Sequence, residues 1–477
     1  MGQEIDTIHF QSRDFQRFHD RLEQETLLLA ECLTDARMSR RAHTAGLEAE
    51  AWLTDSDGRA LAENDRFLAA LKEPLVVPEL ARFNIELNVP PANLAGLGLD
   101  SLEQALAALW RRCQALARDM DAMTLLIGIL PTLRNSDLSL ANMSPLNRFK
   151  ALNEQVLRAR LGQPLVLDIT GQEHLHLQHH DVMLESAATS FQLHWQLPAD
   201  LIPRYFNASI AMSCATVAVA ANSPFLFQKS LWEESRIPLF EQAVEVGGFE
   251  GAARGPVRRV TFGAGYVKHS LHELFRENLE HYPALLPICA DTPAERFVHA
   301  RLHNGTIWRW NRPLIGFDDD GCPHTRIEHR VMAAGPSIVD QISNAAFYYG
   351  ATHWLTQNID DLEARIPFSA AKLNFYAAAR RGLDAHVQWL DGDSLSLKKV
   401  ILDRLLPAAE QGLRDLNVDD ALISKYLHTV ETRIRRERTG SHWQRAFIDK
   451  HGKDFRAMTL VYAQHQATGT PVHEWDI

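Results

Sequence analysis

Cysteine is rare in this 477-residue chain, and what there is does not pair. Cys32, Cys113, Cys214, Cys289 and Cys322 are scattered, odd in number and free of any CxxC spacing. That excludes a disulfide framework and reads as reduced thiols in a cytoplasm. Long apolar runs are missing too. The most apolar stretch, 208–221, falls short of the ~20 residues that cross a bilayer, and its small side chains suit a buried helix. No membrane span is expected. The opening MGQEIDTIHFQSRDF has no basic start ahead of an apolar run, so no signal peptide is expected. Positive charge is in deficit: 49 Lys and Arg face 60 Asp and Glu, for a net charge of −11. Such a surface repels phosphate backbones, which argues against nucleic acid as a partner. It does not argue against a small polyphosphate masked by a divalent cation. GxxxxGK[ST] is absent, so no P-loop is present.

What is present is ordinary globular composition, 46% hydrophobic and 23% charged, enough for a large core. Apolar positions Phe15, Phe18, Leu22, Leu28, Leu29 and Leu33 fall at helical spacing and predict a helix over 10–41. Further helices are expected over 101–119, 145–160 and 203–221. Strands are expected at 46–53, 82–89, 123–130, 164–169, 187–196, 305–310 and 325–331. From Ser337 onward the chain reads as nearly all helix. The stretch 245–265 holds six glycines together with Arg254, Arg258 and Arg259, and reads as a loop. The order is not the βαβ alternation of a doubly wound sheet, so the expected class is α+β.

Four of these strands alternate in an unusual way. Side chains two apart share a face. In GLEAEAWL, Leu47, Ala49, Ala51 and Leu53 oppose Glu48, Glu50 and Trp52. In FNIELNV, the apolar residues oppose Asn84, Glu86 and Asn88. In TSFQLHWQL they oppose Ser190, Gln192, His194 and Gln196, and in HTRIEHRVM they oppose His324, Arg326, Glu328 and Arg330. A solvated sheet face produces the same alternation. These faces, however, contain no lysine and concentrate Glu, His, Arg, Asn and Gln. Neighbouring carboxylates repel unless a cation lies between them. Oxygen-rich donors with one imidazole suit magnesium or manganese. Arg330 shares a face with Glu328, and Arg309 stands between Trp308 and Trp310. Arginines beside such a face would hold a transferring phosphoryl group, or else pair with a neighbouring glutamate.

These segments resemble one family. GLEAEAWL resembles the G-x-E-x-E first strand of the glutamate–cysteine ligases. PELARFNIELNVPP, with Glu79 seven residues before Glu86, resembles their second acidic strand. SFQLHWQL, RIEHRVM and NGTIWRWNRP resemble their histidine strand, their E-x-R strand and a phosphate-contacting segment. GILPTLR, NMSPLNRF, HHDVMLE, ANSPFLF, LWEESRIPLFEQ and LFRENL resemble the family-two branch, the carboxylate–amine ligases. The resemblance implies a glutamine-synthetase-like fold, with a curved antiparallel sheet flanked by helices. It implies ATP and Mg2+ (or Mn2+) as cofactors, with Glu48, Glu79 and Glu86 holding one ion and Glu50, His194 and Glu328 another. Arg309 and Arg330 would contact the phosphates and an acyl-phosphate intermediate. The substrates implied are glutamate and an amine, cysteine by default, in thiol biosynthesis of the glutathione kind. The expected organisation is a helical extension over 1–44, a catalytic core over 45–350 and a helical region over 351–477 packed on that core. The two additions would reshape the acceptor pocket or build a homo-oligomer interface.

Other readings compete. A non-catalytic ATP- or glutamate-binding regulator on the same fold would commonly have lost ligands, and here every matched position keeps one. A guanidino-type phosphotransferase is opposed by the G-x-E-x-E strand. His174, His176, His179 and His180 suggest zinc, but no cysteine is near. FGAGY at 262–266 is a lone glycine motif. Trp308 and Trp310 would stack on adenine or pack in the core. Arg134 and Arg148 are candidates for the glutamate α-carboxylate.

Overall fold

Strands that alternate apolar and polar residues need one covered face, and seven of them share a sheet in the computed structural model. The structure describes residues 4–35, 37–246, 258–390 and 392–477. The strands are β1 (Thr44–Asp55), β2 (Val76–Pro78), β3 (Asn84–Asn93), β4 (Ala122–Leu125), β5 (Ser190–Leu197), β6 (Asn311–Phe317) and β7 (Pro323–Ala333). Their order is β6-β7-β5-β1-β3-β2, with β4 on the far end of β1. Every pairing is antiparallel. Together with the surrounding helices this is the α+β architecture expected. The register sets Glu50 opposite Glu86, Glu48 opposite both Asn88 and Gln192, and Glu328 opposite both His194 and Arg312.

The apolar face is covered by helices α2 (Ile202–Val219) and α5 (Ile338–Asn358). His329, one step out of phase with Glu328, points to that side. Its ring stacks on Tyr348 at 4.1 Å and its nitrogens meet Thr216 and Asn311 at 2.8 and 2.7 Å. The Tyr349 hydroxyl donates to the His194 carbonyl at 3.0 Å. The back of the polar strands is thus tied to a buried helix layer.

The N-terminal helix α1 (Ser12–Thr34) is shorter than the 10–41 expected. It lies against α3 (His272–His281) and α4 (Val298–Gly305), burying Phe18, Leu22 and Leu29 with Phe275, Phe297 and Ile315. Glu25, fully buried, accepts from His299 Nδ1 at 2.6 Å and from the Ala300 amide at 2.8 Å. The C-terminal helices α6 (Asp420–Arg435) and α7 (Phe455–Thr468) are fastened similarly. Arg433 donates to Asp340 and Asn344, and Tyr462 and Gln466 donate to the Leu126 carbonyl. The C-terminal region does hold strand: a hairpin pairs His386–Gln388 with Ser394–Ser396. Three residues per strand are too few for periodicity to reveal. Residues 247–257 of the glycine-rich stretch lie outside the described residues.

Candidate active site

The polar face divides into two groups. In the first, His194 Nε2 lies 3.0 Å from Glu48 Oε1 and 3.9 Å from Glu328 Oε1. Arg312 forks onto both oxygens of Glu328, at 2.7 and 2.9 Å, and Arg330 Nη1 adds a third contact at 3.0 Å. Arg330 also donates to Gln192. Burial alone would raise both carboxyls. His194 instead holds Glu48 down to about 2, and Arg312 and Arg330 hold Glu328 below the usual carboxylate range.

The second group is short of cations. Glu50 accepts from the Ser190 amide at 2.6 Å, the Ser190 hydroxyl at 2.9 Å and Gln192 at 3.0 Å. Burial and the facing Glu86 push it up to about 7 despite Arg330. Glu79 is 9% exposed, its Oε1 lacks any hydrogen-bond partner among the described residues, and burial with Glu86 and Glu50 drives it well above the ordinary value. Glu185 rises to about 7 through burial and Glu50. Glu50, Glu79, Asn84, Glu185, Arg236 and Arg330 line one cavity.

Both groups fit a divalent cation. Glu48, His194 and Glu328 each bring one ligand atom within 4.8 Å of the others, and no other such trio occurs among the described residues. Two carboxylates with one imidazole match magnesium or manganese. Around Glu50 the fit is electrostatic: crowded carboxylates and the orphaned Glu79 oxygen ask for positive charge. The grouping inferred above therefore changes. The register sets Glu50, not Glu48, beside Glu86, and the side-chain distances bring Glu48 together with His194 and Glu328.

Arg330 stands where the alternation put it, but Arg309 is not brought to this face. It sits in a short strand pair with Val260–Thr261, donates to Asn278 at 2.7 Å, pairs with Glu277 at 3.1 Å and lies over the Tyr282 ring. Arg312, three residues on, takes the place beside Glu328. Trp308 and Trp310 are core residues, and Trp310 donates to Glu241 at 2.9 Å. In FGAGY, Phe262 stacks on Phe375 and Tyr266 donates to the Ile366 carbonyl. His174 and His176 share exposed Asp168, and His179 meets Asn135, so the histidine run is spent on local contacts. Trp52, expected beside Glu50, stacks on Phe83 in the core. Arg148 lies over Phe149, and Arg134 lines a separate surface cleft with Arg59, Lys453 and Arg456. Besides Arg312, sequence reasoning missed Arg236 and Glu185, although both lie in quoted segments, LWEESRIPLFEQ and HHDVMLE.

Residues 44–469 match the family model described as glutamate–cysteine ligase family 2. Among solved structures, the chain is similar to a glutamate–cysteine ligase from Francisella tularensis in complex with AMP. That likeness has 13% identity and a TM-score of 0.55, covering 92% of this chain and 91% of that one. It is also similar to a bifunctional glutathione synthetase from Pasteurella multocida, at 11% identity and a TM-score of 0.51, covering 93% of this chain and 54% of that longer one. Both likenesses concern the fold. A search of curated proteins found no match. No helix among the described residues is long and apolar enough to cross a membrane.

Proposed function

The chain belongs to glutamate–cysteine ligase family 2, and from that premise we propose that it is an ATP-dependent ligase joining the side-chain carboxylate of glutamate to an amine, cysteine by default, in the cytoplasm. The observation that carries the reading is the convergence of Glu48, His194 and Glu328 beside Arg330 on one buried sheet face. The AMP bound to the Francisella relative supports a nucleotide here as well.

A carboxylate does not condense with an amine in water without activation, and a γ-phosphoryl group supplies it as a mixed anhydride. Glu48, His194 and Glu328 would hold one magnesium ion, and Glu50, Glu79 and Glu86 a second. Bound there, the ions neutralise phosphate charge. Arg330, held in place by Glu328 and Gln192, presents its planar donors to the phosphoryl group as charge moves onto it. Arg312 fixes Glu328 by its bidentate grip and so fixes Arg330 indirectly. Glu50 is oriented by three donors from Ser190 and Gln192. No enzyme nucleophile is needed.

The test is phosphate release from ATP with magnesium and glutamate against a panel of amines, with products read by mass spectrometry. Expected is release that needs glutamate and ceases in excess chelator, with a γ-linked amide as product. Nucleotide binding without turnover would favour a passive binder. Reversible transfer to a guanidino compound would favour a phosphotransferase.

A further inference from the structure

The cavity beside Glu50 contains a carboxylate that neither cation group uses. Glu185 lies on a rigid 3-10 turn, Val182–Ala187. Val182, Met183 and Leu184 are fully buried, Asp181 caps the turn through the Met183 amide at 3.0 Å, and Asn153 accepts from Val182 at 3.0 Å. Such a turn aims its one charged side chain instead of letting it wander. Glu185 and Arg330 line the same cavity, together with Arg236, Ser186 and Thr189.

Every other carboxylate and guanidinium there is accounted for. Glu50 accepts from Ser190 and Gln192, and Glu79 belongs to the crowded Glu50–Glu86 group. Arg330 is taken by Glu328 and Gln192. Arg236 donates to the carbonyls of Arg330 and Val331 and pairs with Glu234. The Glu185 carboxylate makes no side-chain hydrogen bond or ion pair with any described residue. A carboxylate removed from water stays ionised only beside a cation. Arg330 lends Glu185 some of its positive charge across the cavity, but it makes no ion pair with Glu185 and is committed to Glu328 and Gln192, so a cation paired with Glu185 itself would arrive with a substrate. An amine at neutral pH is such a cation, and it must lose a proton before it can attack.

We infer that Glu185 is the binding and proton-accepting carboxylate for the ammonium group of the acceptor amine. The inference rests on the ligase reading above. In the step it describes, an N–H bond of the ammonium breaks, its proton goes to Glu185 and its electron pair becomes the nitrogen lone pair. That pair forms the new C–N bond at the acyl carbon. The C–O bond to the phosphoryl group breaks, its electrons leave with inorganic phosphate, and the second nitrogen proton goes to that phosphate.

Hydroxylamine separates this role from others, because it is neutral at physiological pH and attacks acyl phosphates without losing an ammonium proton first. The experiment compares native protein, Glu185→Gln and Glu185→Asp with ATP, magnesium and glutamate. The acceptor is either hydroxylamine or the fastest amine of the panel above. Glu185→Gln should lose about a hundredfold or more of amide formation, with a raised KM for the amine. Glutamyl hydroxamate formation and the KM for glutamate should stay within about threefold of native values. Glu185→Asp, which keeps the charge, should recover part of the amide rate. Three results would overturn the inference. Amide formation could be unchanged. Amide and hydroxamate could fall together in folded protein, which would place Glu185 in activation or metal binding. The KM for glutamate could rise, which would assign Glu185 to the glutamate ammonium. If native protein makes no hydroxamate at all, the ligase reading fails, and this inference with it. Thermal melts on both variants confirm that folded protein is compared.

Discussion

Glu48 and Glu50 stand two residues apart on one strand and one face, yet their surroundings are opposite. Glu48 belongs to a group that neutralises itself: His194, Arg312 and Arg330 answer its charge and that of Glu328. Glu50 belongs to a group with too many carboxylates, and burial among them pushes it up to about 7. A sheet face that merely met solvent would need neither arrangement. The first group is paired by the protein's own cations, whereas the second is hydrogen-bonded at Glu50 but short of positive charge. Stability should depend on the first and cation-linked protonation on the second.

The comparison breaks most visibly at Glu328. Glu328→Ala leaves Arg312 and Arg330 buried without their partner, so it should cost about 3–5 kcal/mol of stability. It should also remove more than about a hundredfold of turnover. Glu50→Gln should lose activity on the same scale, but in metal-free protein near neutral pH it should melt no lower than native, because it relieves repulsion with Glu86. Melts in chelator and initial rates with magnesium report both. Equal losses of melting temperature would show that the two groups are not electrostatically distinct.

The two arginines on Glu328 sharpen the contrast at a smaller scale. Arg330 lines the cavity and Arg312 does not. Arg330→Lys keeps the charge and loses the planar fork, so kcat should fall by about tenfold to a hundredfold with a smaller change in the KM for ATP. Arg312→Lys should lower the melting temperature and leave folded protein within about tenfold of native kcat, the scale expected of a residue acting through another. A normal kcat for Arg330→Lys with a lowered melting temperature would make Arg330 a structural partner only.

Protonation separates the groups without mutation. Glu50 and Glu79 are raised, so the metal-free folded protein binds more protons near neutral pH than the unfolded chain does. Their contribution to stability is full at pH values below the ordinary carboxylate range. It is lost as pH rises through the raised values, for Glu50 about 7. Glu48 runs the other way: its contribution is full above the ordinary range and is lost as pH falls toward about 2. Magnesium should therefore stabilise more at about pH 8 than at about pH 6, and should release protons on binding at neutral pH. Calorimetry in two buffers of different ionisation enthalpy measures that release. No release would mean that the second group is already ionised.

Much of this face was legible because strand alternation is strict: Glu48, Glu50, Glu86, His194, Glu328 and Arg330 follow from period two alone. Which glutamate joins which partner was not legible, because that depends on register between strands far apart in sequence. Arg312 was hidden by chemistry of its own. It lies in NRPLIGF, where Pro313 argues against a strand. The strand is nevertheless real, because β6 is the outer strand of the sheet, where a residue without an N–H is tolerated. Glu185 was hidden because a six-residue turn carries no periodicity.

Arg309 is the smallest test and the one where sequence and geometry part. The resemblance of NGTIWRWNRP to a phosphate-contacting segment implied a phosphate contact. In the structure it is 1% exposed, and Asn278, Glu277 and the Tyr282 ring surround its guanidinium, all of them from α3 or the residue after it. Its Nη1 donates to Asn278 and its Nη2 faces Glu277, so its loss should be felt as loosened attachment of that helix. Arg309→Lys retains the charge but not the fork that reaches both Asn278 and Glu277. The expected result is a melting temperature lower by a few degrees, as about 1 kcal/mol gives in a protein of this size, with kcat and the KM for ATP nearly native. A raised KM for ATP, with an unchanged melting temperature, would return Arg309 to the phosphates. It would then follow that α3 moves aside when nucleotide binds, and the contrast between a committed arginine and a poised one would fall to Arg330 and Arg312 alone.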